Sequence, residues 1–354
     1  MTATAPLGGL EVLDFSTLLP GPLAGRMLAA SGATVRKIER PGGEDMRRMG
    51  AKPGETAVAW RLLNAGKEIL ELDLRQPADR ARLEPLLARA DVLIEQFRPG
   101  VMERLGLGYP ELAERYPELI YCSITGFGQT GPLAGRAGHD LNYLALSGLL
   151  ALAPHGPAGP AVPPLLAADI AGGAYPAVIN ILLALEQRRR TGRGRRLDVA
   201  MCPNLLPFAW WAIAAAAETG AWPGAGDALL TGGSPRYQLY RTRDGRWLAA
   251  APLEDRFWDT FCAAIDLPPR WRRSGDLAAV RREVAARIAQ RPAQEWEELL
   301  GARDCCCSLV VDLATALGKQ PDEAVELPLP IDPGLRPAAP APDDTPCQAA
   351  EVGT

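Results

Sequence analysis

The chain has 354 residues, 47% of them hydrophobic and 23% charged, with 38 Lys and Arg against 42 Asp and Glu and a net charge of −4. That length allows one large domain or two around a substantial core, and the slightly acidic balance gives no support to a nucleic-acid partner. The seven cysteines are odd in number and suggest no disulfide framework; with no secretory signal before them, a reducing cytoplasm fits best.

In chain order, Leu10 to Phe15 predicts a strand, Ser16 to Gly21 a loop, and Pro22 the first turn of a helix ending before Gly32. Ala33 to Glu39 is the next strand, which makes a βαβ unit and the start of a parallel sheet. Glu39 sits where an acid would hold a dinucleotide ribose. The stretch Pro20-Gly21-Pro22-Leu23-Ala24-Gly25 lacks the glycine fingerprint that should accompany it, so nicotinamide chemistry is disfavoured. After a loop rich in Gly, Pro and Arg, strands follow at Ile69 to Leu74, Asp91 to Glu95 and Leu119 to Ile124. Helices begin at Pro77, with Leu83, Leu86 and Leu87 on one face, and at Pro110. Ligands bind beyond the carboxyl ends of strands in such sheets, which makes Arg40 and Arg98 reasonable phosphate contacts.

The glycine-rich run 126–132 then delivers Gly138-His139-Asp140-Leu141-Asn142-Tyr143. A lone histidine is usually structural, and Asp140 is expected to orient rather than react. His155, among turn formers, is expected to be an exposed loop residue. Asp169 opens a long apolar helix with a basic end. As a plain N-cap it would be held ionised by the helix dipole; Pro176 and Gly172-Gly173 instead allow the regular helix to start a turn later. Both readings stand. A base and an acid facing one carbon is the constellation for proton abstraction beside a carbonyl, and His139 with Asp169 is the pair that fits it.

A strand at Leu197 to Ala200 closes this half. No segment reads as membrane-spanning, because the longest apolar run, 205–217, is too short; its Phe208, Trp210 and Trp211 suit a buried helix, with a subunit interface as one place for it. Gly232-Gly233-Ser234 resembles a nucleophile elbow, but Arg236 stands where a second glycine is needed. Tyr237 to Tyr240, a turn at Asp244-Gly245, and Trp247 to Ala250 predict a hairpin that marks a second domain, with helices following to about Leu300. Cys305-Cys306-Cys307 has no nearby histidine and is expected to pack rather than bind metal. From Lys319 onward the Pro, Ala and Asp content predicts an extended tail, disordered at its tip.

Taken together, these motifs resemble the class III CoA-transferase (CaiB/BaiF) superfamily, and most of all its α-methylacyl-CoA racemase branch. The stretches that carry the likeness are 10–14 with 20–22, 37–43, 64–67 with 72–74, 91–95 with 98–100, 126–132, 138–143, Asp169, 232–235, Tyr240 and Glu254 before Phe257. The resemblance implies an α/β fold: a Rossmann-like large domain (1–200), a linker helix (201–230), a smaller α+β domain (231–304), and a C-terminal segment returning to the large domain (305–354). It also implies an interlocked homodimer. His139 and Asp169 would be the acid/base pair, with Glu254 supporting the histidine. Arg40, Lys67, Arg98, Gly138, Asp140, Asn142 and Tyr143 would contact CoA or its thioester. No metal and no cofactor beyond the CoA of the substrate is implied. CoA transferases of the superfamily keep the aspartate as an acyl-carrying nucleophile and usually lack the histidine, so His139 favours racemisation over transfer.

Overall fold

The structure, a computed structural model, describes residues 5–52, 54–156, 159–319 and 326–337. The chain divides into two compact units, one built from 1–139, 167–204 and 326–354, the other from 140–166 and 205–325. The Pro-rich tail beyond 337, with Cys347, lies outside the described residues.

The first unit begins β1 (Glu11–Asp14), α1 (Pro20–Ala30), β2 (Thr34–Glu39), α2 (Val58–Asn64), β3 (Glu68–Glu71), α3 (Pro77–Leu87), β4 (Val92–Glu95), α4 (Val101–Arg104), α5 (Tyr109–Arg115) and β5 (Ile120–Thr125). The chain leaves for the second unit through α6 (Asp140–Leu146), α7 (Leu149–Leu152) and the two-residue strands β6 (His155–Gly156) and β7 (Gly159–Pro160). It returns through a π-helical turn (Ala168–Ala174) that runs straight into α8 (Tyr175–Thr191) and then β8 (Arg196–Ala200).

The sheet is parallel throughout, in the order β3-β2-β1-β4-β5-β8. Its inner strands β4 and β5 are buried along their whole length because both faces of the sheet are covered. Leu13, Ile38, Leu93 and Tyr121 point to one face, where Leu83 and Leu87 of α3, Met102 of α4 and Leu112 of α5 complete a core. Each such leucine withdraws enough apolar surface to contribute about 2–3 kcal/mol. The opposite face carries Val12, Asp14, Val35, Lys37, Val92 and Ile94 under α1 and α8. By length and composition the helix Ala168–Thr191 is able to cross a membrane. Asp169, Gly172, Gly173, Pro176 and Asn180 break it into short apolar runs, so the sequence shows no unbroken apolar stretch there. Here Ala177, Ile181, Ala184 and Leu185 are buried against the sheet side, Arg188 is paired with Asp91 at 2.7 Å, and Gly192, at φ 67°, ends the helix.

The second unit continues with α9 (Trp210–Thr219), β9 (Gln238–Arg241), β10 (Trp247–Ala250), α10 (Asp255–Ala264), α11 (Pro269–Arg272), α12 (Leu277–Ile288), α13 (Ala293–Gly301), β11 (Cys307–Leu309) and α14 (Leu313–Leu317). The predicted hairpin is present, with Ala249 opposite Leu239 and Gly245 at φ 83° in its turn. The sheet has a third strand that the sequence reading lacked, since β11 pairs antiparallel to β10. Residues 305–319 therefore belong with the small unit, and 140–166 join it as well. Both points correct the expected boundaries. Trp258, Phe261, Val284, Trp296 and Leu300 form its core. The Trp-rich helix departs from its expected burial: Leu206, Phe208, Trp210 and Ile213 are exposed in the single chain.

Close backbone approach fixes the π-turn. A Cβ on Gly172 would lie 2.5 Å from the Met201 carbonyl oxygen, and one on Gly173 would lie 2.9 Å from Pro20 Cβ. Gly172→Ala is expected to cost about 1–3 kcal/mol through overpacking against backbone. Gly156→Ala, which meets open space, should stay within about 0.5 kcal/mol of wild type. Denaturant titration of the two variants checks this.

Candidate active site

At the carboxyl ends of β1 and β2 the buried Asp14, Lys37, Glu44 and Lys67 form one charged group. Asp14 and Lys37 are neighbours across the β1–β2 register, and neither side chain is exposed. Lys67 Nζ reaches Asp14 Oδ2 at 2.8 Å, the Pro22 carbonyl at 2.8 Å and Asn64 Oδ1 at 2.9 Å. Lys37 Nζ donates to the Ser16 carbonyl at 2.6 Å and lies 3.1 Å from Glu44 Oε1. Burial disfavours the Asp14 carboxylate, but Lys67, Lys37 and the hydrogen bonds from Lys67 and Ser16 outweigh it and hold its pKa below the ordinary value. Burial draws Lys67 down to about 8, against the pull of Asp14. These two lysines and two carboxylates balance, as buried charges must.

This geometry corrects the expectation of a CoA contact at Lys67. Its side chain has no exposed surface, and Nζ is bonded to three oxygens inside the protein. Glu39 is likewise structural: it pairs with Arg47 Nε at 2.6 Å and accepts the Trp60 indole N–H at 3.0 Å. Arg40 lies beyond β2, largely exposed and paired with Asp45 at 2.7 Å. It lines a cavity of about 400 Å³ together with Phe15, Asp73, Arg75 and Phe97. That cavity opens where β2, β1 and β4 end, beside the β1–β4 switch in strand order, which is where open α/β sheets take ligands. Arg98, just after β4, is exposed and has no ion pair among the described residues.

Beyond β5 the glycine-rich run is pinned down. Gly128 N–H donates to Thr125 Oγ1 at 2.9 Å, Gln129 N–H to Asp198 Oδ2 at 2.9 Å, and Arg196 to Gln129 Oε1 at 2.8 Å. Gly128 and Gly131 take φ of 90° and 94°, as glycine does without strain. His139 follows, exposed, as the last residue of this segment of the first unit. Asp140 starts α6 in the second unit and is buried, as is Tyr143, while Asn142 is exposed. Glu254, also in the second unit, is exposed at the N-cap of α10, where its carbonyl accepts the N–H groups of Phe257 and Trp258.

Asp169 is half-buried in the first turn of the π-helical segment. It is not an N-cap, because Ala167 already has helical backbone angles. Of the two sequence readings, the late start is the one observed: Pro176 sits in the first turn of α8 and cannot donate to the turn before it. Asn204 Nδ2 donates to the Gly172 carbonyl at 2.9 Å and satisfies one oxygen of the irregular turn. Single π-turns of this kind recur at functional sites.

Residues 7–332 match the family described as CoA-transferase family III. The chain belongs to this family. It is 36% identical over 315 residues to the alpha-methylacyl-CoA racemase of Homo sapiens, covering 86% of this chain and 78% of that one. It is 33% identical over 326 residues to the acetyl-CoA:oxalate CoA-transferase of Acetobacter aceti, covering 88% and 82%. A CAIB/BAIF family protein from Brucella suis superposes with a TM-score of 0.75 at 28% identity, over 89% of this chain and 86% of that one. Family III membership agrees with the motif reading and leaves racemase and transferase relatives side by side.

Glu95, which closes β4 next to this edge, went unremarked in the sequence. Burial raises its pKa to about 7, against the Ser123 hydroxyl and the Phe97 N–H donated at 2.8 Å. Folded protein therefore holds this proton from the ordinary value of 4.5 up to about 7 while unfolded chain releases it. Stability accordingly falls as pH rises across that interval, by up to about 3 kcal/mol. Glu95→Gln should remove this slope, so that the variant matches wild type near pH 4.5 and exceeds it at pH 8. Identical pH profiles in urea unfolding would contradict the assignment.

Proposed function

We propose that this family III protein inverts the α-carbon of 2-methylacyl-CoA thioesters by moving one proton off and another on through an enolate. The observation that carries the reading is His139, in a family whose transferases usually have no histidine there, in the same chain as Asp169. The α-proton of a thioester is only weakly acidic, so its removal needs a placed base and a stabilised enolate oxygen. His139 takes the proton on one face and Asp169 delivers one on the other; the reverse direction exchanges their roles. Backbone N–H groups opening the π-turn are the donors for the enolate oxygen. The nucleotide end of CoA suits the cavity beside Arg40, with Arg98 free to meet phosphate. Met46, Met49 or Met201 is a candidate to supply apolar surface for the acyl group.

Support of His139 by Glu254, thioester packing along Gly138 to Tyr143, an interlocked homodimer and a cytoplasmic setting belong to the same reading. The exposed Leu206, Phe208, Trp210 and Ile213 favour a second copy, since apolar groups gathered at a surface mark interaction sites. No cofactor other than the substrate's own CoA is required.

The second reading is CoA transfer, with Asp169 attacking the thioester and carrying the acyl group to an acceptor acid. The likeness to the oxalate CoA-transferase favours it. Incubation with a 2-methylacyl-CoA in heavy water separates the two. Racemisation predicts deuterium at C2 without any acceptor, and a loss of about 10²–10⁴-fold in the interconversion of the two epimers in His139→Ala. Strict dependence on a free acid, with an acyl-aspartate trapped by hydroxylamine, would replace racemisation with transfer.

A further inference from the structure

The loop joining β1 to α1 is gripped from below by a carboxylate that plays no part in the chemistry above. Glu44 is only 4% exposed. Its Oε2 accepts the Leu18 N–H at 2.7 Å, and its Oε1 lies 3.1 Å from Lys37 Nζ. Lys37, fully buried, donates in turn to the Ser16 carbonyl. One ion pair therefore holds the loop at two points, Ser16 and Leu18. Between them the backbone is strained: Leu18 takes φ 61°, a left-handed conformation that a leucine adopts only when its surroundings impose it. Beyond it, Gly21 N–H is fixed by Gln96 Oε1 at 3.0 Å, and a Cβ on Gly21 would lie 2.1 Å from Ser16 Cβ. The far end of the loop meets the π-turn, with Pro20 against Gly173, four residues along from Asp169.

We infer that Glu44 is a positioning residue: through the Leu18 N–H it holds the strained β1–α1 loop against the π-turn that carries Asp169. The inference rests on the reading that Asp169 works on the acyl group. Loss of the tether lets Leu18 relax to an ordinary backbone conformation and removes the support of the turn. Turnover then falls while the nucleotide end of CoA, in the cavity beside Arg40, is held as before.

The test uses the full-length protein. Glu44→Ala should lower kcat for 2-methylacyl-CoA by about 10²-fold, the effect of an ångström-scale misplacement, with KM changed by less than about threefold. Leu18→Gly added to Glu44→Ala should recover at least about tenfold of the lost kcat, because glycine keeps φ near 61° without a tether. Hydrogen exchange followed by mass spectrometry gives a readout apart from activity: the Leu18 amide should exchange about tenfold faster in Glu44→Ala. In Glu44→Gln, which keeps an acceptor for that N–H, it should stay within about threefold of wild type. A parallel rise in KM with kcat unchanged, no recovery on Leu18→Gly, or unaltered Leu18 exchange in Glu44→Ala would overturn the inference. Should Glu44→Ala not fold, faster Leu18 exchange in Glu44→Gln by tenfold or more overturns it. If wild-type enzyme shows no exchange at C2, the racemase reading fails and the amide measurement still decides the tether.

Discussion

The contact between Lys67 and Asp14 at the carboxyl edge of the parallel sheet is the constraint on which the first unit depends. Neither group is exposed, and each would be costly alone; removing one partner of such a pair costs about 3–5 kcal/mol, because the other charge stays behind without compensation. The pair also dictates how closely α1 approaches the sheet. A Cβ on Gly25 would lie 2.9 Å from Asp14 Oδ2 and 3.1 Å from Lys67 Nζ, so the helix packs there only because residue 25 is glycine. From Asp14 the chain turns through Ser16 into the β1–α1 loop, and from Lys67 it enters β3. One ion pair thus joins the strand that starts the sheet to the strand at its edge.

Irregular backbone gathers directly above this anchored edge. Leu18 lies in the left-handed region, residues 168–174 wind as a π-turn, and Gly172 and Gly173 let that turn close on Met201 and Pro20. Regular helix would start earlier and leave the Gly172 carbonyl paired within it; here Asn204 takes that role. Local geometry of this kind persists only where neighbouring structure over-determines it. A rigid, charge-locked sheet edge below and a distorted turn bearing Asp169 above are two sides of one arrangement.

Much of this was legible in the amino-acid sequence. Strands such as Val92 to Glu95 announced themselves as short apolar runs, and Gly32 marked the end of the first helix, which opens at Pro20, two residues before the expected Pro22. The two glycines and Pro176 after Asp169 left a delayed helix start as one of two readings, and the backbone takes that one. What escaped was whatever depends on contacts distant in sequence. Lys67 was expected at CoA only through the family resemblance, which carries no information on the partners of its side chain in this chain. The available signal was Asp14 and Lys37, both charged within strands expected to be covered on two faces, where charges need partners. Strand β11 was missed because three residues beginning at Cys307 have too little periodicity to declare a strand, and only its pairing with β10 makes it one. Exposure of the Trp-rich helix could not be read from its composition, which suits a buried core and an intersubunit face equally well.

In the proposed reaction His139 and Asp169 serve opposite faces of one α-carbon. The most direct test measures loss of the α-proton to solvent separately from the R and S epimers of one 2-methylacyl-CoA, using His139→Ala and Asp169→Ala. Two-base chemistry predicts that each variant fails to racemise yet still washes the proton out of one epimer, with the retained epimer opposite in the two variants. Washout retained from the same epimer in both, or racemisation undiminished in either, would contradict it.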